Sequence, residues 1–364
     1  MQDSLVFIKA HQPACISSCL FSQGRHGGFP DKTGARRYAK EAKTVKILHV
    51  SDIHYRETVE NAALLKEATR QLERLHPDYI LVTGDLTRDG RDEQFERVRN
   101  FINNLTFCQV LTIPGNRDAA RTITASANDY KNLEYYLLTH PDPLALLDEP
   151  EMQEPENNKS QNTGKFFEHF ENAEFFYRDS QIAATGLNST PEITIRQMEL
   201  AARHLSNGQP GEVRIFCAHH SFLPVPTKKL KPGDIVPRSA DILQTLIELN
   251  VDLLCCGHIH RSHVWDLSDG RHRLLCCNAG SLLDTSGKKD NGFLEIEIGH
   301  DLQITKHSLF TSHTEQLYYR QHFGATLQTR KHITKTPVLR GGAAEAEVKD
   351  NEEQNKLKKA KGKK

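Results

Sequence analysis

No stretch of this chain stays apolar for the roughly 18–20 residues that a bilayer-spanning helix needs, so no transmembrane segment is expected. Net charge is also missing. The 47 Lys and Arg are balanced by 47 Asp and Glu, and no basic stripe interleaved with aromatics concentrates positive surface, which disfavours a nucleic-acid partner. The N-terminus lacks a basic segment leading into a continuous apolar core, so no secretory signal is expected. Hydrophobic residues make up only 37%, a deficit that belongs to the polar ends rather than to a poor core. Zinc-finger spacing is absent too. Cys15 and Cys19 have no Cys or His pair at ligand distance nearby, and Cys255-Cys256 and Cys276-Cys277 are simple adjacent pairs. With Cys108 and Cys217, these four sit in apolar, strand-like contexts where a reduced thiol acts as a small hydrophobe. A reducing, cytoplasmic setting is the expectation.

What is present begins at residue 44. Residues 1–43 mix Gly, Pro and basic residues without periodicity and read as a loosely ordered extension. Then Val45–Val50 forms a β-branched, apolar strand pattern. Helical spacing follows in Leu65, Ala68, Leu72 and Leu75, a strand in 78–82, a helix in Phe95, Val98, Ile102 and Leu105, and a strand in 107–113. This alternation indicates an α/β domain over 44–310. Residues 122–172 interrupt it with an aromatic-aliphatic cluster between Leu133 and Leu147, read as an inserted, cap-like helical pair packed on the core, with an active-site cap as the alternative. Strands resume at 174–177, 181–187, 212–217 and 251–255, with helices around Met198 and Leu246 and a Pro-rich loop at 221–237. Segments 263–267, 273–278, 291–298 and 302–308 alternate as an antiparallel second sheet would. Residues 311–340 form a C-terminal extension, and 341–364 a disordered tail with six Lys in its last nine residues. That tail leaves peripheral contact with anionic lipid open.

The chemistry lies at the strand ends. The first strand runs into Asp52-Ile53-His54, whose two-residue spacing in extended chain puts both side chains on one side. Asp85, Asn116, His219, and His258 with His260 each follow a later apolar strand. In open α/β sheets ligands bind beyond the carboxyl ends of strands. The set holds carboxylate, imidazole and amide but no thiolate, a field suited to Mn, Fe, Zn or Co. Seven such groups exceed the needs of one catalytic ion. They suit two ions sharing a carboxylate, roughly 3.5–4 Å apart, which together favour hydrolysis at phosphorus.

Asp52-x-His54, Gly84-Asp85, Gly115-Asn116-x-Asp118, His219-His220 and Gly257-His258-x-His260 resemble the signature of the calcineurin-like metallophosphoesterases. The resemblance implies a four-layer α/β/β/α sandwich of two mixed sheets between helices. It further implies that Asp52, His54 and His260 hold one divalent metal, that Asn116, His219 and His258 hold the other, and that Asp85 bridges. A phosphodiester or pyrophosphate bond would then be hydrolysed by a metal-bridging hydroxide. Gly186-Leu187-Asn188-Ser189 and the prolines after His220 are most similar to the cyclic-nucleotide-phosphodiesterase-like branch.

Where most of the family has Gly-Asn-His, this chain has Arg117. Arginine cannot readily exchange a proton near neutrality but can clamp phosphate with two hydrogen bonds. Losing general acid–base help, worth about 10²–10⁴-fold, costs least when the leaving group is already acidic, as in pyrophosphates or aryl esters. The UDP-2,3-diacylglucosamine hydrolases of lipid A synthesis are similar in carrying Gly-Asn-Arg-Asp, which makes that pyrophosphatase activity an alternative. A non-catalytic scaffold on the same fold is another. Asn116, Arg117 and Asp85 are thus the expected catalytic groups, and Arg117, His220, Arg88 and Arg121 the expected contacts to a small phosphorylated substrate. Lys228, Lys229, Lys231 and Arg238 read as a solvated basic loop, and Asp118 as a group that orients Asn116 or Arg117.

Overall fold

The structure is a computed structural model and describes residues 44–119, 165–170, 172–206, 208–226, 228–231, 233–283, 291–311 and 313–328. The N-terminal extension, Arg121, the Leu133–Leu147 cluster and the Lys-rich tail lie outside these residues. Strand β1 (Val45–Val50), helix α1 (Val59–Arg74), β2 (Tyr79–Thr83), α2 (Asp92–Asn103) and β3 (Gln109–Ile113) alternate as the periodicity predicts, and a four-residue turn of helix, α3 (Asn116–Ala119), follows. After α4 (Lys165–His169) come β4 (Phe175–Arg178), β5 (Ile182–Gly186), α5 (Ile195–Ser206), β6 (Val213–Cys217), α6 (Ser239–Glu248) and β7 (Leu253–Cys256). The chain then forms β8 (His263–Ser268), β9 (Arg273–Asn278), β10 (Gly292–Ile298), β11 (Leu302–Ser308), β12 (Thr314–Arg320) and α7 (Phe323–Gln328).

Two six-stranded mixed sheets result, ordered β12-β11-β10-β1-β2-β3 and β4-β5-β6-β7-β9-β8. Side-chain alternation along each strand feeds two apolar layers at once. In β1, Ile47 joins the cluster between the sheets, where it meets Ile215 and Leu253, while Leu48 and Val50 face Leu65, Ala68 and Leu72 of α1. On the other side, Phe216 and Leu254 pack against Met198 of α5 and Leu246 of α6. Three apolar layers separate four layers of secondary structure, α/β/β/α. The adjacent cysteines obey the same period: Cys255 and Cys277 lie between the sheets, and Cys256 and Cys276 beneath the helices.

The expected antiparallel second sheet of four late segments is not what forms. β8 and β9 extend the second sheet, where β9 runs parallel to β7, whereas β10 and β11 pair antiparallel onto β1 in the first. Alternation alone does not choose a partner. Phe293, Leu294, Glu295 and Ile296 are all buried, so β10 has apolar neighbours on both faces and takes a central place rather than an edge. Within the expected C-terminal extension, β12 adds an edge strand and α7 buries Phe323 and Leu327. No helix among the described residues is long and apolar enough to cross a membrane.

Candidate metal centre

Parallel pairing of β1, β2 and β3, and of β5, β6 and β7, brings their carboxyl ends to one edge of the sandwich. There the chain leaves extended geometry. Asp52 (φ 51°), His54 (48°), Asp85 (49°), His258 (66°) and His260 (55°) all take the left-handed conformation. Asp52 and His54 therefore converge through two left-handed turns and not through strand alternation, because β1 has already ended at Val50. Left-handed backbone is costly for residues with a Cβ and tends to persist where the surroundings over-determine it. Here β2 supplies that constraint, with the N–H of Asp52 and of His54 donating to the carbonyls of Gly84 (3.0 Å) and Asp85 (2.9 Å). Close approach by glycine completes the edge. A Cβ on Gly84 would stand 2.4 Å from the Gly115 nitrogen, and one on Gly115 2.2 Å from the Asp85 nitrogen.

Two constellations of ligand atoms form. In the first, Asp52 Oδ1 lies 2.9 Å from His260 Nε2 and 3.6 Å from His54 Nε2, while Asp85 Oδ2 lies 3.4 Å from His54 Nε2. The two imidazole nitrogens are themselves 2.9 Å apart. In the second, Asn116 Oδ1 is 3.0 Å from both His219 Nε2 and His258 Nδ1, which are 3.3 Å from each other. Asp85 Oδ1 stands 3.4 Å from His219 Nε2. Asp85, buried, thus turns one oxygen to each constellation.

The donor chemistry fits a cation in both. His219 Nδ1 lies 2.8 Å from the Thr83 carbonyl and, as donor, leaves Nε2 as a lone pair. With its hydrogen on Nε2, toward Asp234 Oδ1 at 3.4 Å, His258 would present Nδ1 as a lone pair. In that tautomer His219 Nε2, His258 Nδ1 and Asn116 Oδ1 are three acceptors with no hydrogen between them, a repulsive arrangement that a cation would relieve. Bonds of about 2.0–2.2 Å to one ion place neighbouring ligands about 3.0–3.5 Å apart, which matches the separations above. Asp52, His54, Asp85 and His260 form a cluster able to hold a metal ion.

Local electrostatics follow from burial and proximity. Burial alone would raise the Asp52 carboxyl, but the imidazoles of His260 and His54 outweigh it and hold it well below the usual range. Burial is likewise outweighed at Asp85 by His219 and His54, and the carboxyl is lowered. His219 is raised, Asp85 and Asp52 overcoming its burial. Burial, then the neighbouring His219, pushes His258 down to about 4. Burial also lowers His220, to about 3.

Supporting groups complete the centre. Ser51 Oγ and the His258 N–H donate to Asp52 Oδ2 (2.7 and 2.8 Å), so Oδ1 is the oxygen left for the imidazoles. Asp118, expected to orient Asn116 or Arg117, instead ties the two loops together, accepting from the N–H of Gly115, Leu86 and Thr87 at 3.0, 2.8 and 3.1 Å. Burial and the Asp85 charge push its carboxyl up to about 7 against those donors. His220 lies behind His258, with ring centroids 4.5 Å apart and Nδ1 2.8 Å from Ser189 Oγ. Beside the centre opens a cleft of about 180 Å³ whose lining includes Arg88, Arg117, Lys228, Lys231 and Asp234. Asp234 carries no motif, and nothing in the Pro-rich stretch around it announced a partner for His258. The two lysines, expected as solvated, reach the cleft because Lys228 Nζ donates to the Ile259 carbonyl (3.2 Å) and Asp234 ties down the Lys231 N–H (2.9 Å).

A two-sheet sandwich with clustered carboxylates, imidazoles and an amide at its strand ends defines a metallophosphoesterase type of protein. The calcineurin-like phosphoesterase family matches residues 45–262, and the chain belongs to that family. A probable cyclic nucleotide phosphodiesterase of a Synechococcus species is 29% identical over 96 residues, which cover 24% of this chain and 36% of that protein. The purple acid phosphatase PPD1 of yellow lupin (Lupinus luteus) shares the fold with a TM-score of 0.55 and 12% identity, over 83% of this chain and 58% of its own. A dimetal phosphatase of Danio rerio is similar at a TM-score of 0.47 and 11% identity, over 75% of this chain and 99% of its own. The chain thus spans about a third of the Synechococcus relative and under two thirds of the lupin enzyme.

Proposed function

We propose that this chain is a phosphoesterase with two divalent metals that hydrolyses a phosphodiester or pyrophosphate bond. The observation that carries the proposal is Asp85, buried, with one oxygen 3.4 Å from His54 and the other 3.4 Å from His219. Asp52, His54 and His260 would hold one ion, and Asn116, His219 and His258 the other. The pair, when bound, would supply Lewis acidity toward phosphoryl oxygen and an activated water as nucleophile.

The chain's own residues do the rest. Asp234 and the Thr83 carbonyl orient the rings of His258 and His219, and His220 braces His258 from behind. Arg117 has its Nε 3.7 Å from Asp85 Oδ2 and its Nη1 3.4 Å from the Arg88 carbonyl, with its side chain 42% exposed to the cleft. It would neutralise charge on phosphoryl oxygens but does not readily give or take a proton near neutrality. Arg88 is lowered by partial burial and by repulsion from Arg117 and Arg56, the condition of a cationic wall awaiting an anion. Arg88, Arg117, Lys228 and Lys231 line the cleft against two carboxylates, Asp85 and Asp234, and this net positive charge favours the pyrophosphate reading over a singly charged diester.

The test is a panel of an aryl phosphodiester, a cyclic nucleotide, a UDP-sugar and UDP-diacylglucosamine, with Mn²⁺ added. Arg117→His is expected to lower turnover of the pyrophosphates while sparing or raising that of alkyl diesters. A uniform gain on every substrate would remove Arg117 from any specific role. No metal-dependent turnover on any member would leave the fold to a scaffold role.

A further inference from the structure

Far from the cleft in sequence, the turn between β10 and β11 carries His300-Asp301, and β12 runs into His322 just before α7. Backbone bonds clamp the two segments together. The Gly324 N–H donates to the His300 carbonyl at 3.1 Å, and the His322 N–H donates to Asp301 Oδ1 at 3.0 Å. A Cβ on Gly324 would stand 2.4 Å from the Gly299 carbonyl oxygen, so glycine is what permits this approach. His322 is left-handed at φ 56°, which turns its ring back over the β10–β11 turn. His300 Nε2 and His322 Nδ1 come to 3.1 Å, with ring planes at 81°.

The carboxylate decides what these nitrogens can do. Asp301 Oδ1 lies 2.7 Å from His300 Nδ1, and Oδ2 accepts from the Tyr319 hydroxyl at 2.5 Å. An ionised carboxylate only accepts, so His300 carries its hydrogen on Nδ1 and aims the lone pair of Nε2 at His322. A carboxylate fixing the far nitrogen of an imidazole is the usual support of a metal-binding histidine. Ligand atoms from all three residues fit within 4.8 Å of one another.

We propose that His300 Nε2 and His322 Nδ1, with Asp301 as orienting or third ligand, form a separate surface site for a borderline divalent cation such as Zn²⁺, Ni²⁺ or Cu²⁺. Imidazole nitrogen suits these ions better than Mg²⁺ or Ca²⁺. His300 is 70% exposed, so water completes the coordination. Occupancy would pin β12 and α7, the last described elements, to the turn that opens β11. The competing account is a plain hydrogen bond from His322 Nδ1–H to His300 Nε2, which needs no ion.

Calorimetric titration of the full chain with ZnCl₂ separates the two. His322→Asn keeps a residue that tolerates left-handed backbone while removing the imidazole, and His300→Asn removes the other ligand. Each is expected to bind one equivalent of Zn²⁺ fewer than wild type, leaving uptake at the cleft unchanged. Asp301→Asn should weaken that class at least about 10-fold. Amide exchange in 314–328 should slow on Zn²⁺ addition in wild type but in neither histidine variant. Equal stoichiometry and affinity in all four proteins, or exchange there that Zn²⁺ does not alter, would overturn the proposal.

Discussion

Gly257→Ala puts one methyl group where the centre has no room for it. Its Cβ would stand 1.8 Å from Ser51 Oγ and 2.5 Å from Asp52 Oδ2, and real Cβ atoms keep at least 3.0 Å. The hydroxyl must therefore retreat by about 1.2 Å and the carboxylate by about 0.5 Å, in a fully buried pocket that cannot yield freely. Rotating Ser51 away sacrifices the bond its one hydroxyl hydrogen makes to Asp52 Oδ2 (2.7 Å), with the Thr83 carbonyl 3.2 Å away as the alternative acceptor. A buried donor left unmade costs about 1–3 kcal/mol, and overpacking about as much again, so about 2–6 kcal/mol of stability should be lost. The second effect is on metal binding. Ligand positions tolerate about 0.2 Å, so a carboxylate displaced by about 0.5 Å should lose about 10–100-fold in affinity. Urea melts read the first quantity and Mn²⁺ titration the second. Adding Ser51→Ala removes the worst clash but not the one with Asp52. The double variant should recover most of the stability and little of the affinity. Wild-type stability and wild-type Mn²⁺ affinity in Gly257→Ala would refute the packing argument.

Three further outcomes are expected. Arg214 is buried beside Glu212, itself 1% exposed, and its Nη1 donates to the Leu249 carbonyl at 2.8 Å; Arg214→Met should cost about 3–5 kcal/mol in urea melts by breaking a buried charged network, and a change below about 1 kcal/mol would contradict it. Burial pushes His49 down to about 3 against the pull of Asp52, so the unfolded chain takes up a proton that the folded chain refuses. Stability should fall as pH drops from about 6.5 toward 3, by about 1.4 kcal/mol per unit for this group, and melts of His49→Gln between pH 7 and 5 should show a correspondingly flatter slope. Lys228→Ala with Lys231→Ala should raise KM for pyrophosphate substrates several-fold while leaving an aryl diester nearly unchanged; equal effects on both would show that the two lysines do not read a second phosphoryl group.

Much of this was legible in the chain, for identifiable reasons. Strand–helix alternation in 44–113 reflects local periodicity, and local periodicity is what a sequence displays directly. That these positions converge was legible because each follows an apolar strand, and parallel pairing gathers such ends at one edge. The partners of β10 and β11 were not legible, since alternation records which face is buried but not which strand lies alongside. Asp234 was not legible because it approaches His258 from a loop without periodicity. Nor were His300 and His322, because each, taken singly, is an ordinary turn residue. Left-handed backbone at Asp52 and His54 was hidden as well, for it arises with hydrogen bonds to Gly84 and Asp85 in the loop after β2.

Metal content tests the central claim most directly. Purified protein equilibrated with Mn²⁺ and freed of excess would be assayed by mass spectrometry for bound metal and for aryl phosphodiester hydrolysis, beside Asp85→Asn. If Asp85 is shared between two ions, wild type retains two per chain and hydrolyses the ester, while the variant retains at most one and loses turnover. An Asp85→Asn protein that keeps two ions and full turnover, or a wild type that binds none, would contradict the account.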